Sequence, residues 1–333
     1  MEPIILWQDK WSEGAFVPLY LFFGGLTAGI VIVAVLADLI SIKSKRFEPL
    51  SQVAAYASVI TLALAGLFLT IHLGKPERGL AFPWYFTNRN SWMTWGGWIV
   101  GMGSPLVVLY ASLWYFGWRP IVRRLLGVVA LPLIGTMALY TGWLLSNAGF
   151  VPLWSPQYLP LIFLNSGLTT GLAAAGLILL LAWPFLGQQG EEPRGIIRWV
   201  SIALVVFILF ELYELYAFMT HLRAGGAEHM AFGRTIPPKG AELAYEYVTK
   251  GALAPWFWWG VIVTGLAIPL LISAVEFATG LFDRPWFKAV ATTKFALILI
   301  GGVILRFVIV WGGEMAAPLE VPISHGPLTS LWG

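Results

Sequence analysis

The chain has no cysteine. That absence excludes disulfides, cysteine-ligated zinc, thiol nucleophiles and any iron–sulfur cluster held by the chain itself. Histidine is nearly as scarce. Of four, His229 and His325 fall in polar connections and His72 and His221 at the edges of apolar runs. Membrane b-type cytochromes need axial histidines inside their bundle, so neither haem nor another metal centre is expected. Charge is thin as well: Asp, Glu, Lys and Arg make up 11% of the 333 residues, against 58% hydrophobic and 15% aromatic, with 18 tryptophans. The longest stretch between apolar runs, 222–255, has too few apolar residues for a core of its own. The net charge of +3 comes from basic residues at the ends of apolar runs, a pattern that serves orientation in a bilayer rather than nucleic-acid binding.

What the chain does have is length of apolar sequence. A helix needs about 20 apolar residues to cross a hydrocarbon core of about 30 Å, because its backbone polar groups must be satisfied internally. Eight segments meet that demand, at 16–41, 52–73, 92–116, 125–146, 159–186, 196–220, 256–281 and 290–311. The fold class expected is therefore all-α and integral to a lipid membrane. The first span is expected to stay attached, since the acidic Glu2, Asp9 and Glu13 stand where a signal peptide would be basic. Short connections on one side carry Lys43, Lys45, Arg46, Arg119, Arg123, Arg124, Arg194, Arg198, Arg284 and Lys288, while those on the other are longer and more dilute. The positive-inside rule then puts both termini outside a cytoplasmic (inner) membrane. Trp92, Trp95, Trp98, Trp143, Trp154, Trp256, Trp258 and Trp259 gather at the outer ends, as an interfacial belt does.

Two motifs echo each other. Gly24-Gly25-Leu26-Thr27-Ala28-Gly29 in span 1 resembles Ser166-Gly167-Leu168-Thr169-Thr170-Gly171 in span 5, and Trp95, Gly96, Gly101 and Pro105 in span 3 resemble Trp259, Gly260, Gly265 and Pro269 in span 7. An even number of spans per half implies a parallel duplication into two four-helix bundles, 1–150 and 151–333, the second carrying the extended loop 222–255. Within that loop, 239–250 has the pattern of a short amphipathic helix with Ala241, Ala244, Tyr245 and Val248 on one side. It reads equally as an interfacial helix or as part of a partner dock.

An ionisable side chain in a span costs about 2.5 to 3.5 kcal/mol on insertion scales, so each one asks for a partner or a function. Asp38, Glu276 and Lys294 lie near the basic side, where snorkelling or ion pairing accounts for them. Glu211 and Glu214 lie deeper, three residues apart and hence on one helix face, with Arg306 of the last span within reach of pairing. Either a buried ion pair that fixes helix register or a proton route accounts for that group, the route extending to Glu276 and Lys294. In the first half, Tyr20, His72, Trp92, Thr94, Tyr140, Trp143 and Asn147 converge at the outer ends of their spans. Hydrogen-bonding rings and amides beside apolar walls suit a quinone, with His72 and Tyr140 as the candidates for proton transfer. Ordinary interfacial packing is the plainer reading of any one of them.

Several segments together carry a family resemblance that extends over nearly the whole chain. Pro18-Leu19-Tyr20-Leu21-Phe22-Phe23-Gly24-Gly25-Leu26-Thr27-Ala28-Gly29 opens span 1, Leu73-Gly74-Lys75-Pro76-Glu77-Arg78 follows span 2, Ser91-Trp92-Met93-Thr94-Trp95-Gly96 opens span 3, and Arg306 sits in span 8. In these the chain resembles the NrfD/PsrC-like membrane subunits, including the polysulfide reductase anchor. The resemblance implies a quinone-binding subunit, using menaquinone or ubiquinone, that docks on a four-cluster ferredoxin-like iron–sulfur subunit wired to a catalytic subunit, often a molybdopterin enzyme. It also implies a quinone site in the first bundle near Tyr20 and Tyr140. One departure is visible: no histidine or asparagine stands near Tyr20, where some relatives use one for the quinone. Two rival functions remain at this stage. A secondary transporter would show broken helices near the midplane; a plain membrane anchor would bind no quinone.

Overall fold

The computed structural model describes residues 15–72, 87–147, 151–186, 193–226, 230–231, 234–235 and 238–315. The Leu73–Arg78 motif, His229 and His325 lie outside the described residues. Long apolar runs become long helices: α1 (Phe16–Ile40), α2 (Glu48–His72), α3 (Trp92–Tyr115), α4 (Pro120–Ser146), α5 (Leu159–Ala182) and α6 (Arg194–Arg223). A short α7 (Pro238–Thr249) precedes α8 (Trp256–Thr279) and α9 (Phe287–Met315). Eight of these nine are long and apolar enough to cross a membrane. At about 1.5 Å per residue even α3, with 24 residues, is about 36 Å long. A hairpin of two-residue strands, Met230–Ala231 with Arg234–Thr235, and three short 3₁₀ helices, Lys45–Phe47, Trp183–Phe185 and Leu281–Asp283, are the remaining regular elements among the described residues.

Packing sorts the long helices into two rings. α1 touches α2 and α4, and α3 touches both of those, closing the first; α5, α6, α8 and α9 close the second. α1 and α5 form the seam, and α2, α4 and α9 also reach across it. Glycine makes this seam possible. A Cβ added to Gly29 would overlap the carbonyl of Gly167, and one on Gly167 would lie 2.8 Å from the carbonyl oxygen of Gly25. Backbones meet directly there, as small residues allow in lipid. Gly25 with Gly167 and Gly29 with Gly171 are the positions that the two echoing motifs place in register, 142 residues apart.

Most helix ends shift by a few residues from the sequence reading, and among the starts those of α2 and α4 shift furthest. α2 begins at Glu48 rather than Gln52, and α4 begins at Pro120 rather than Leu125. Pro120 stands in the first turn, where its missing N–H costs nothing. Arg123 and Arg124 are therefore helical, and Arg123 is buried, because Asp38 neutralises the charge that the sequence reading assigned to a loop. The short helix expected at 239–250 is α7, with Ala241, Ala244 and Val248 buried against the second ring. α3 and α4 run through Pro105 and Pro132 without a break. The first twelve residues of α8, Trp256–Ala267, are π-helical, a rare geometry that often marks functional sites. It ends just before Pro269, where Gly265 packs directly on Gly301 of α9.

Below, the end of the molecule bearing Lys43, Arg46 and Arg198 is called the basic end and the opposite one the aromatic end.

Candidate functional site

At the aromatic end of the first ring, α4 delivers Tyr140 toward α3. Its ring fills the space where Gly96 would carry a side chain: a Cβ there would overlap the phenol. Ile99 and Met137 share its buried cluster, with Leu62, Val100, Leu133 and Leu144 packed around them. Tyr20 of α1 lies near enough for the two phenols to interact electrostatically. Neither hydroxyl has a hydrogen-bond partner among the described residues. One helical turn on, Trp143 stacks on Trp92 of α3, ring centroids 5.5 Å apart, and Thr94, two residues after Trp92, is buried. His72 closes α2, half-buried, while Asn147 is exposed just past α4. Of the seven residues expected here, the structure thus joins Tyr20 to Tyr140 and Trp92 to Trp143 in two contacts.

The centre of the second ring holds a different group. Glu211 and Glu214 of α6 are 3% and 6% exposed, and Arg306 of α9 is 1% exposed. Asn165 of α5, which the sequence reading passed over, donates through Nδ2 to Glu214 Oε2 at 3.1 Å and to the Phe207 carbonyl at 3.2 Å. Its place just before Ser166-Gly167 in the span 5 motif was the available signal. Glu211 faces the hydroxyls of Ser166 and Thr169. Arg306 makes no direct ion pair with either glutamate, although its charge acts on Glu211. It donates instead to the Phe163 carbonyl at 3.2 Å, lies over the Phe163 ring, and points Nη2 at Gly25 across the seam. The absence of a side chain at Gly25 gives the guanidinium that position. Five buried atoms of this group have no protein partner among the described residues: Asn165 Oδ1, Glu211 Oε2, Glu214 Oε1, and Arg306 Nε and Nη1. Buried polar atoms are nearly always paired, so atoms left over by the protein mark places for ordered water. A cavity of about 10 Å³, enough for roughly one water, lies against Glu211, Thr169 and Thr170, between α5, α6 and the Gly265–Gly301 contact.

Glu276 and Lys294 form an ion pair nearer the basic end, and Lys294 also donates to Ser201 Oγ at 2.7 Å. Both charges are fully buried, so pairing rather than snorkelling accounts for them. Ser201 and Glu211 are ten residues apart on α6, about 15 Å, so the five residues of the expected proton route fall into two groups. Asp38 is also paired rather than snorkelled. Arg123 grips both its oxygens at 2.6 and 2.7 Å, and Arg124 and Tyr110 add bonds at 3.1 and 3.2 Å. Glu314, beyond the expected end of span 8, has both carboxylate oxygens buried without a partner among the described residues.

Among the described residues, no group of three or more His, Asp or Glu side chains is placed to hold a metal. Residues 10–318 match the family described as Polysulphide reductase, NrfD. The C subunit of polysulfide reductase from Wolinella succinogenes is 29% identical over 321 residues, covering 90% of this chain and 93% of the relative. The NrfD homolog of Haemophilus influenzae is 26% identical, again over 90% of this chain and 93% of its own length. The Hdr-like menaquinol oxidoreductase integral membrane subunit of Archaeoglobus fulgidus is 24% identical across 83% of this chain and 65% of the relative. With eight membrane-length helices and a family match over almost its full length, the chain belongs to the polysulphide reductase NrfD family.

Proposed function

We propose that this chain is the quinone-interacting membrane subunit of a respiratory oxidoreductase, exchanging electrons between the quinone pool and an iron–sulfur partner at the aromatic end. The observation that carries this reading is the pair of phenols, Tyr20 and Tyr140, close together, lined by apolar side chains and without acceptors among the described residues. Such a site fits a flat ring with two oxygens and a greasy tail: phenol O–H groups donate to carbonyls, and Leu62, Ile99 and Met137 exclude water. Menaquinol or ubiquinol would supply two electrons and two protons when bound. Tyr140 would hold one oxygen by donating a hydrogen bond, Tyr20 would orient the other, and His72 with water at the edge would pass the two released protons toward the surface. With no cysteine in the chain, electrons must pass directly to a partner, for which the family implies a four-cluster ferredoxin-like subunit and a molybdopterin catalytic subunit beyond it. Among the relatives, one is called a polysulfide reductase subunit and another a menaquinol oxidoreductase subunit. The basic loops favour both termini on the outer side of the inner membrane, and the partner is proposed to dock at that same, aromatic end.

The test is quinol-dependent electron transfer in membranes carrying Tyr140→Phe and His72→Ala, with quinone or inhibitor binding measured alongside. Tyr140→Phe is expected to weaken binding about tenfold, the loss of one hydrogen bond at about 1.4 kcal/mol. Unchanged binding and turnover in both variants would remove the site from the first ring. Continuous α3 and α4 give no support to the transporter reading, and a chain that binds no quinone in this assay would be a plain anchor.

A second reading, that the complex also moves protons, is favoured by the unpartnered atoms around Glu211, Glu214 and Arg306. Waters bridging them would form a proton-conducting segment, continued at the basic end by Glu276 and Lys294. Substituting Glu214→Gln is expected to lower protons moved per electron; an unchanged ratio at normal turnover would sink the route.

A further inference from the structure

An apolar groove on the seam between the two rings adjoins the second-ring group at Phe207, whose carbonyl accepts from Asn165, and extends from there to the basic end. It has a volume of about 430 Å³ and runs between the second half of α1, the middle of α5 and the first half of α6, within the ~300–1,000 Å³ range of small-molecule sites. Ile32, Leu36 and Ile40 form one wall, Leu172 the floor, and Ala203 and Phe207 the other wall. Ile32 to Ile40 is eight residues, about 12 Å along the helix axis, close to the depth of one leaflet's hydrocarbon, half of about 30 Å. Its polar lining is confined to the basic end, where Ser44 and Arg46 stand at the mouth with the indole of Trp199 opposite.

The charges at that mouth are unbalanced. Four other basic residues at this end are committed: Arg123 and Arg124 to Asp38, Lys294 to Glu276, Arg194 to Asp283. Arg46 and Arg198, together with Lys43 and Lys45, are exposed and have no carboxylate partner among the described residues. Arg46 Nη1 comes within 3.8 Å of where a Cβ on Gly195 would lie, so its guanidinium reaches from the α1–α2 turn across to the start of α6 and spans the mouth. An apolar slot one leaflet deep, with a cation that has no carboxylate partner among the described residues at its headgroup level, has the charge and dimensions of a phospholipid site. We propose that it holds the acyl chain of an anionic phospholipid from the leaflet at the basic end, with the lipid phosphate against Arg46 and Arg198. The lipid wedges the rings together where the Gly–Gly contacts of the seam give way to side chains.

The intact complex, purified in mild detergent, decides the matter by mass spectrometry of retained lipid and by melting temperature on adding phosphatidylglycerol or phosphatidylcholine vesicles. The wild type is expected to retain phosphatidylglycerol or cardiolipin enriched several-fold over the bulk membrane, and to be stabilised more by phosphatidylglycerol. At about fivefold per basic residue near a membrane surface, Arg46→Glu should cut the anionic preference at least fivefold. Ala203→Trp should displace retained phospholipid of any headgroup while leaving the Arg46→Glu effect absent in the double variant. The proposal is overturned if the wild type shows no anionic enrichment or if Arg46→Glu keeps the same preference. Recovery of a quinone in place of phospholipid, lost in Ala203→Trp, would overturn it too. Arg46 is a surface residue, so its arm decides the question even where Ala203→Trp does not fold.

Discussion

Around Asp38 in the first ring, both carboxylate oxygens are gripped by Arg123, with Arg124 and Tyr110 completing the shell. Around Arg306 in the second ring, two carboxylates and a guanidinium are equally buried, yet each keeps an atom without a partner among the described residues. Both groups place charge in a bilayer, but only the first is closed by protein. A closed shell of charge-assisted hydrogen bonds fixes one arrangement and has no place for a mobile proton. An open one requires water, and water between carboxylates is what proton movement needs. Asp38 ties α1 to α4 at the basic end, whereas the open group of Glu211, Glu214 and Arg306 is the one proposed above to serve proton movement.

The largest effect expected from this contrast is on stability at the closed group. Asp38→Ala strands Arg123 and Arg124 in the interior, and breaking a buried pair from one side costs about 3 to 5 kcal/mol. A markedly lower melting temperature of the purified complex, with protons per electron unchanged in whatever folds, is the outcome expected. A mild effect on stability accompanied by loss of proton movement would reverse the assignment.

Glu276 and Lys294 lie between the two cases, paired like Asp38 but belonging to the second ring. Glu276→Gln alone leaves a buried ammonium and is expected to destabilise by roughly 3 kcal/mol, whereas Glu276→Gln with Lys294→Met removes the charge altogether and restores most of the loss. Proton movement in the double variant then sharpens the comparison. Retained stoichiometry would class the pair with Asp38; a fall would join it to Glu211 and Glu214, across the gap of about 15 Å on α6.

How much of this was legible beforehand depends on the range of the interaction. The eight spans are local properties of apolar length, and α7 is a local amphipathic pattern, so both could be read directly from the residues. Ionisable residues in spans announced themselves by their cost. Their partners did not: Arg123 and Arg124 looked like loop charges because a count of basic residues says nothing about whether Asp38, 85 positions earlier, turns toward them. Pro120 was the missed cue, since proline in a first turn signals that the helix starts there and carries the arginines inside. Tyr140 could be nominated from chemistry, but not its burial under Gly96, a contact between helices. Asn165 went unnoticed because an amide in a small-residue motif looks like packing until a carboxylate is placed against it.

The smallest expected effect probes the open group from across the seam. A methyl on Gly25 would sit 3.4 Å from Arg306 Nη2 and 4.0 Å from Gly167 Cα, so it fits after a shift of a few tenths of an ångström. On Gly29 the same methyl meets the Gly167 backbone, which cannot give way. Gly29→Ala should therefore destabilise the seam by a few kcal/mol, in the manner of overpacking, while Gly25→Ala should change stability by less than about 1 kcal/mol. Gly25→Ala nevertheless pushes on the guanidinium. If the group around Arg306 is water-filled and pliable, the guanidinium moves aside, and the trace of that move is a change in proton movement without a change in melting temperature. Equal destabilisation by both alanines would mean that Arg306 is held as rigidly as Arg123, and the distinction between an open and a closed cluster would fall with it.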